Sequence, residues 1–83
     1  MDNPDYKGIL NIDNQPVSYS IWVGPAWMEY HLIYSLEKFV RVGIYAGELP
    51  IINRTGDIDD MHINRCVEHL NNKYGLELPE VYR

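Results

Sequence analysis

The alternation of apolar and polar positions is clearest near the N terminus, where it predicts a β-hairpin. Residues 17–23 alternate strictly, and Trp22 falls on the side opposite the small aliphatic residues. This period of two is typical of a half-buried strand. Residues 8–12 form the preceding strand, and a four-residue loop between the two strands pairs Leu10 with Tyr19.

The middle of the chain, residues 25–46, carries two overlapping patterns. Pro25 suits the first position of a helix, where its missing N–H costs nothing. Helical spacing then aligns an apolar stripe of Met28, Leu32, Leu36 and Phe39. After it, Val40, Val42 and Ile44 alternate as in a strand. The pattern therefore predicts a helix over residues 25–37 and a strand over residues 39–46.

Two other readings of this segment remain open. One is a single helix over residues 25–46, although Gly43 inside it would cost about 1 kcal/mol. The other is a meander of strands in which residues 28–36 alternate as Tyr30, Leu32, Tyr34 and Leu36.

The C-terminal segment predicts an amphipathic helix over residues 58–74. Asp57 is a good N-cap, and Gly75 followed by Pro79 ends the helix. One arc of this helix holds Ile63, Val67, Leu70 and Tyr74. Residues 49–52 suit a short edge strand because of Pro50, and we expect the tail over residues 76–83 to be loosely attached. The predicted class is α+β, with this helix packed on a small antiparallel sheet.

Composition narrows the class of protein further. The 83 residues include seven basic and twelve acidic side chains, a net charge of −5, which argues against direct binding to nucleic acid or to an anionic membrane. A single cysteine excludes an internal disulfide. The first residues do not resemble a signal peptide and no apolar run is long enough to span a membrane, so we expect neither a signal peptide nor a membrane-spanning segment. We therefore expect one small domain over residues 1–83, in the cytoplasm.

Residues able to bind metal or perform catalysis are few. His62, Cys66 and His69 lie on the predicted helix, but positions seven apart are about 10 Å distant along its axis, too far to share one ion. A thiol in the middle of a helix among apolar residues is also a poor nucleophile. We expect no metal, no cofactor and no catalytic residue, so that an enzyme is the third-ranked function.

The aromatic residues are the unusual feature of the composition. The chain has seven Tyr and two Trp but only one Phe, and rings with a polar atom are typical of binding surfaces. On the predicted elements the rings of Trp22, Trp27, Tyr30 and Tyr34 face away from the aliphatic stripes. They form either an exposed binding surface or a second face that the protein itself covers.

These observations predict a non-enzymatic binding or inhibitory module that docks on a larger protein with a basic site. Small acidic proteins of this kind occur among phage or mobile-element accessory proteins and immunity-type proteins. The alternative is an oligomeric protein that stacks a planar, nucleotide-like ligand on its rings, with Arg41 and Arg54 holding the phosphates. In either case the surplus of aromatic residues predicts a homo-oligomer.

Overall fold

A computed structural model describes residues 3–82 and shows a five-stranded antiparallel sheet with one helix packed on it. The elements are β1 (Tyr6–Ile12), β2 (Gln15–Val23), β3 (Trp27–Ser35), β4 (Lys38–Tyr45), β5 (Ile51–Thr55) and α1 (Asp60–Tyr74). The strands follow one another across the sheet in sequence order, so that β1 and β5 are its edges. This architecture confirms the predicted α+β class.

The β1–β2 hairpin has a tighter turn than the sequence predicts. Asp13 and Asn14 both have positive φ, 54° and 64°, and connect the strands as a two-residue turn. As a result Leu10 pairs with Val17 instead of Tyr19. The predicted register is wrong by two residues, but a shift of two keeps every side chain on its predicted face.

The predicted helix over residues 25–37 is wrong, because residues 27–35 form strand β3 between β2 and β4. Its alternation buries Tyr30 and Leu32 completely, whereas Leu36 of the supposed helical stripe is 96% exposed. The meander is therefore the correct reading of this segment. The strand predicted over residues 39–46 is confirmed as β4, and the edge strand predicted at 49–52 begins only after Pro50.

The C-terminal helix is confirmed, with a slightly later start. Asp59 is the N-cap and accepts a hydrogen bond from the Met61 amide at 3.1 Å, whereas the sequence predicts Asp57 for this role. Gly75 ends the helix in the left-handed conformation, with φ of 66°, as the sequence predicts. This helix is neither long nor apolar enough to cross a membrane, and the described residues form no other helix.

One face of the sheet packs on α1 and forms the core. The helix contributes Ile63, Cys66, Val67 and Leu70, all fully buried. The sheet contributes its own buried set, Leu10, Val17, Tyr19, Ile21, Tyr30, Leu32, Val40 and Val42. The tail beyond α1 is part of this core, since Leu78 and Val81 are only 3% and 1% exposed. The expectation of a loosely attached tail is therefore wrong for residues 76–82; residue 83 lies outside the described residues.

Candidate functional site

The opposite face of the sheet, here called the open face, has no helix or strand over it among residues 3–82. The strand register arranges its side chains in rows that run across the strands. One row is cationic and polar: Lys7, Ser20, His31, Arg41 and Asn53. The next row is largely apolar: Ile9, Ser18, Ile33, Phe39 and Thr55. On the other side of the cationic row lie Trp22, Glu29, Gly43 and Ile51, followed by Trp27 and Tyr45.

Aromatic rings on the open face contact each other in two pairs. The ring of Trp22 lies 4.5 Å from the ring of His31, centre to centre, and is half-buried by this contact. Trp27 stacks at 6.5 Å on Tyr45, and its indole also packs against Gly24, where any side chain would collide with it. Both Trp27 and Tyr45 remain 36% exposed. Each ring is thus held by neighbours yet available to a partner.

Glu29 is the one acidic residue of the five described strands, and its carboxylate is hydrogen-bonded by neighbours on the open face. One oxygen lies 2.7 Å from Nε2 of His31, and the other accepts a hydrogen bond of 3.1 Å from the Tyr45 hydroxyl. The same hydrogen bond raises the pKa of Tyr45. The exposed side chains of Lys7 and Arg41 outnumber this carboxylate, so that the strand residues of the open face carry more positive than negative charge.

The structure separates the six predicted binding residues between the two faces. Trp22, Trp27 and Arg41 lie on the open face. Tyr30, Tyr34 and Arg54 lie on the face that α1 covers. Tyr30 is fully buried, and its hydroxyl donates a hydrogen bond of 2.7 Å to the Pro79 carbonyl in the tail. It is therefore a core residue, because strand alternation, and not helical spacing, decides its direction.

Arg41 and Arg54 do not come together, although they lie on neighbouring strands. Arg41 pairs with Asn53, and both point to the open face. Arg54 follows Asn53 on β5 and therefore points to the opposite face, towards the helix. The guanidinium of Arg54 binds the Asp60 carboxylate and, at 3.3 Å, the Ile58 carbonyl. Arg54 therefore connects the start of the helix to the edge strand β5. Arg41 and Arg54 do not form the expected phosphate-binding pair, because they lie on opposite faces of the sheet.

Behind the sheet, a cleft of about 630 Å³ lies where the start of α1 meets the β1–β2 and β3–β4 turns. Tyr34 and His62 line it. Nε2 of His62 donates to the Ile12 carbonyl at 3.1 Å, since a carbonyl only accepts. In the neutral imidazole Nδ1 is then an acceptor, and the Tyr34 hydroxyl donates to it at 3.0 Å.

Cys66 contacts Tyr34 and His62, but its thiol is not activated as a nucleophile. Its Sγ lies 3.9 Å from both the Tyr34 hydroxyl and Nδ1 of His62. Burial raises the pKa of the Cys66 thiol to about 11, so that the thiol is protonated at neutral pH. Burial likewise raises the pKa of Tyr34. The three groups therefore hold one another in place and supply no activated nucleophile.

The described residues contain no cluster of three or more His, Cys, Asp or Glu side chains able to hold a metal ion. His69 is exposed on α1, whereas Cys66 is buried and His31 lies on the far side of the sheet. Two of the three acids near the start of α1 have structural roles instead: Asp59 caps the helix and Asp60 binds Arg54.

Sequence reasoning did not name five apolar residues of the open face as candidates: Ile33, Phe39 and Tyr45 on the inner strands, and Ile9 and Ile51 on the edge strands. The signal that would have found the three on β3 and β4 is the period-two pattern of residues 27–35, continued through β4. A meander places Ile33 beside Phe39, in one row with Ile9, whereas the helical reading scatters them.

Comparison of the chain with models of protein families, with curated proteins and with solved structures gives no significant match.

Proposed function

We propose that this protein is a non-enzymatic binding module that docks on a larger protein through the open face. The observation that carries the proposal is the exposure of large apolar side chains on a face that no described element covers. Ile9 is 74% exposed, Ile33 42% and Ile51 51%. Trp22 lies in the same row as Ile51, and the Trp27–Tyr45 pair lies in the next row. Rigid aromatic anchors beside exposed aliphatic residues are typical of interface hot spots.

Charge on the strands supports a partner surface with carboxylates. On the open face the described strands carry two basic residues, Lys7 and Arg41, and one acidic residue, Glu29. Lys7 and Arg41 lie in the same row of the open face, three strand spacings or about 14 Å apart. The net charge of −5 by itself predicts a basic site on the partner. The residues of the open face favour instead a partner surface with an acidic patch around an apolar centre, and we propose the latter.

Binding is better supported than catalysis. Tyr34 and His62, which line the cleft of about 630 Å³, are hydrogen-bonded to each other and to the Ile12 carbonyl, and the thiol of the neighbouring Cys66 is protonated at neutral pH. A planar, nucleotide-like ligand is also less well supported, because Arg41 and Arg54 point to opposite faces. From composition alone we propose the biological setting: an accessory protein of a phage or mobile element that inhibits its partner in the cytoplasm.

The test is a binding comparison of open-face variants with a charge-matched control. The tagged protein captures candidates from a lysate; each candidate is identified, purified and titrated against the purified chain. Trp22→Ala and Arg41→Glu should weaken this binary binding by tenfold or more with little change in melting temperature. Lys73→Glu changes the net charge as much as Arg41→Glu does, but on the helix, and should bind normally.

Two results would count against the proposal. One is equal binding by the wild type and both open-face variants. The other is loss of binding only in Lys73→Glu, which would place the partner on the helix side.

A further inference from the structure

Gly43 leaves a recess in the open face, here called the Gly43 notch. Among the described strands it is the one open-face position without a side chain. The notch has a volume of about 210 Å³, and the residues that line it include Glu29, Arg41, Tyr45, Ile51 and Asn53. This volume corresponds to about seven water molecules at roughly 30 Å³ each, so the notch has room for one side chain of a partner.

Glu29 and Tyr45 are fixed at the notch by hydrogen bonds within the protein. The Tyr45 hydroxyl donates to one Glu29 oxygen at 3.1 Å, and the other oxygen accepts from Nε2 of His31 at 2.7 Å. The same hydroxyl lies close to Gly43, since a Cβ atom there would come within 3.0 Å of it. Both oxygens of Glu29 therefore already have donors, and Tyr45 is held against the floor of the notch.

Arg41 and Asn53 supply donors that are not used within residues 3–82. They lie directly opposite each other on β4 and β5, and both are exposed. Neither side chain has a hydrogen-bond or ion-pair partner in this part of the chain. The guanidinium presents a planar fork of donors that matches a carboxylate, and the amide of Asn53 adds further N–H donors. The two side chains are therefore suited to a planar anionic group.

Ile51 adds an apolar wall beside these donors. It is 51% exposed, and the neighbouring Tyr45 is 36% exposed. A side chain that enters the notch covers part of both and displaces water from around Arg41. An ion pair from which water is excluded is stronger than one in bulk water. Aspartate and glutamate, which carry a carboxylate on a short apolar stem, match this combination.

We propose that the Gly43 notch binds one aspartate or glutamate side chain of the protein partner, with Arg41 and Asn53 as its ligands. The inference rests on the proposed function, because it gives a position to one carboxylate of the acidic partner surface. Glu29 repels a second carboxylate, but the hydrogen bonds from His31 and Tyr45 offset part of its charge. A basic partner side chain bound to Glu29 is the alternative occupant, and it would respond in the opposite way to substitution of Arg41.

The site itself is tested without the partner, with acetate as the carboxylate probe. Nuclear magnetic resonance spectra of the isotope-labelled chain are recorded in sodium acetate and, at the same ionic strength, in sodium chloride. The Gly43 backbone amide and the Asn53 side-chain amide should shift saturably in acetate alone. These shifts should be lost in Arg41→Gln. Lys7→Gln is the matched control: it removes the same charge from the same row, about 14 Å away, and should retain them.

Binding to the purified partner from the capture experiment tests the occupant. Arg41→Gln should weaken the complex by about tenfold, and Arg41→Lys, which keeps the charge but loses the fork, by several-fold. Asn53→Ala should also weaken it, whereas Asn11→Ala, the same change on the other edge strand of the open face, should not. Replacing the bound acidic residue of the partner by its amide should weaken binding to the wild type but not to Arg41→Gln.

Two results would overturn the proposal. One is acetate shifts that are equal in sodium chloride or that persist in Arg41→Gln. The other is tighter partner binding by Arg41→Gln together with weaker binding by Glu29→Gln, which would place a basic side chain in the notch. Circular dichroism establishes that each variant is folded.

Failure of the notch and failure of the proposed function give different results. If only the notch fails, Trp22→Ala still weakens partner binding although acetate causes no specific shift. If the proposed function fails, acetate still shifts the two amides although Trp22→Ala binds the partner as the wild type does.

Discussion

The side chain of Asn71 holds the backbone of Leu78 at both its polar groups. Its Oδ1 accepts from the Leu78 amide at 2.8 Å, and its Nδ2 donates to the Leu78 carbonyl at 3.1 Å. Asn64 repeats the arrangement with Val81, at 2.7 and 2.9 Å. Asn64 and Asn71 are seven helical residues apart, and Leu78 and Val81 are three extended residues apart, so both pairs are separated by about 10 Å. The tail therefore runs antiparallel to the helix, and each asparagine lies beside its partner residue in the tail.

Replacing Asn71 should loosen the tail. Asn71→Ala removes both hydrogen bonds and leaves polar backbone groups of the buried Leu78 without a partner, at a cost of about 1–3 kcal/mol in the free energy of unfolding. Urea unfolding measures the loss, and hydrogen exchange at Leu78 should accelerate. Asn72→Ala, at an exposed position one residue on, is the control and should have little effect. Equal stability of the two variants would contradict the role of Asn71.

Tyr30 and Trp27 should respond in opposite ways to truncation. Tyr30→Ala empties a fully buried site and should cost about 3–5 kcal/mol in the free energy of unfolding. Tyr30→Phe removes only the hydrogen bond to Pro79 and should cost about 1 kcal/mol. Trp27→Ala, at a partly exposed site on the open face, should destabilise far less than Tyr30→Ala. Thermal and urea unfolding of the three variants check this order, and comparable losses for the two alanine variants would refute it.

The β1–β2 turn should be sensitive to the residue at position 14. Asn14 has φ of 64°, a conformation that costs alanine roughly 1–2 kcal/mol and costs glycine nothing. Asn14→Ala should therefore lower the free energy of unfolding by about that amount, whereas Asn14→Gly should leave it unchanged or raise it. Asn11→Ala, an exposed strand position with ordinary backbone angles, is the control. Identical unfolding curves for the alanine and glycine variants at position 14 would show that the turn adopts another conformation.

The buried thiol should make stability fall at alkaline pH. Cys66 has a pKa of about 11 in the folded protein, above the ordinary value of 9.0. Between these values the unfolded chain releases a proton that the folded chain keeps, so stability decreases as pH rises, by at most ~1.4 kcal/mol per pH unit. Below about pH 8 the thiol is protonated in both states and contributes no pH dependence.

Urea unfolding between pH 9 and 10 measures this slope together with a contribution from the buried tyrosines, whose ordinary pKa of 10.0 is raised in the folded protein and which titrate in both the wild type and the control variant. Cys66→Ala removes the thiol and should flatten the slope while lowering stability modestly through the lost packing. If the wild type and Cys66→Ala show parallel pH profiles in this interval, the thiol does not titrate as described.

Local signals in the sequence were sufficient for several elements. The alternation of β2 predicted which face Trp22 occupies, and Gly75 with Pro79 predicted the end of α1. Such signals are reliable because each depends on a few neighbouring residues: a period of two, or one position with positive φ. Of the six candidate binding residues, they placed Trp22 on its observed face; Trp27 and Arg41 also lie on the open face, but the sequence predicted Trp27 on a helix and Arg41 beside Arg54.

The tertiary structure decided the rest. Residues 27–35 fit a helix or a strand, and the backbones of β2 and β4 on either side supply the pairing that selects the strand. That choice turns Tyr30 inward, where its hydroxyl meets the Pro79 carbonyl, 49 residues away in the chain. The tail is held in the same way, by asparagines that are indistinguishable from solvent-exposed ones in the sequence alone. A polar atom is tolerated in a core only when a distant group pairs with it, and periodicity contains no information about that group.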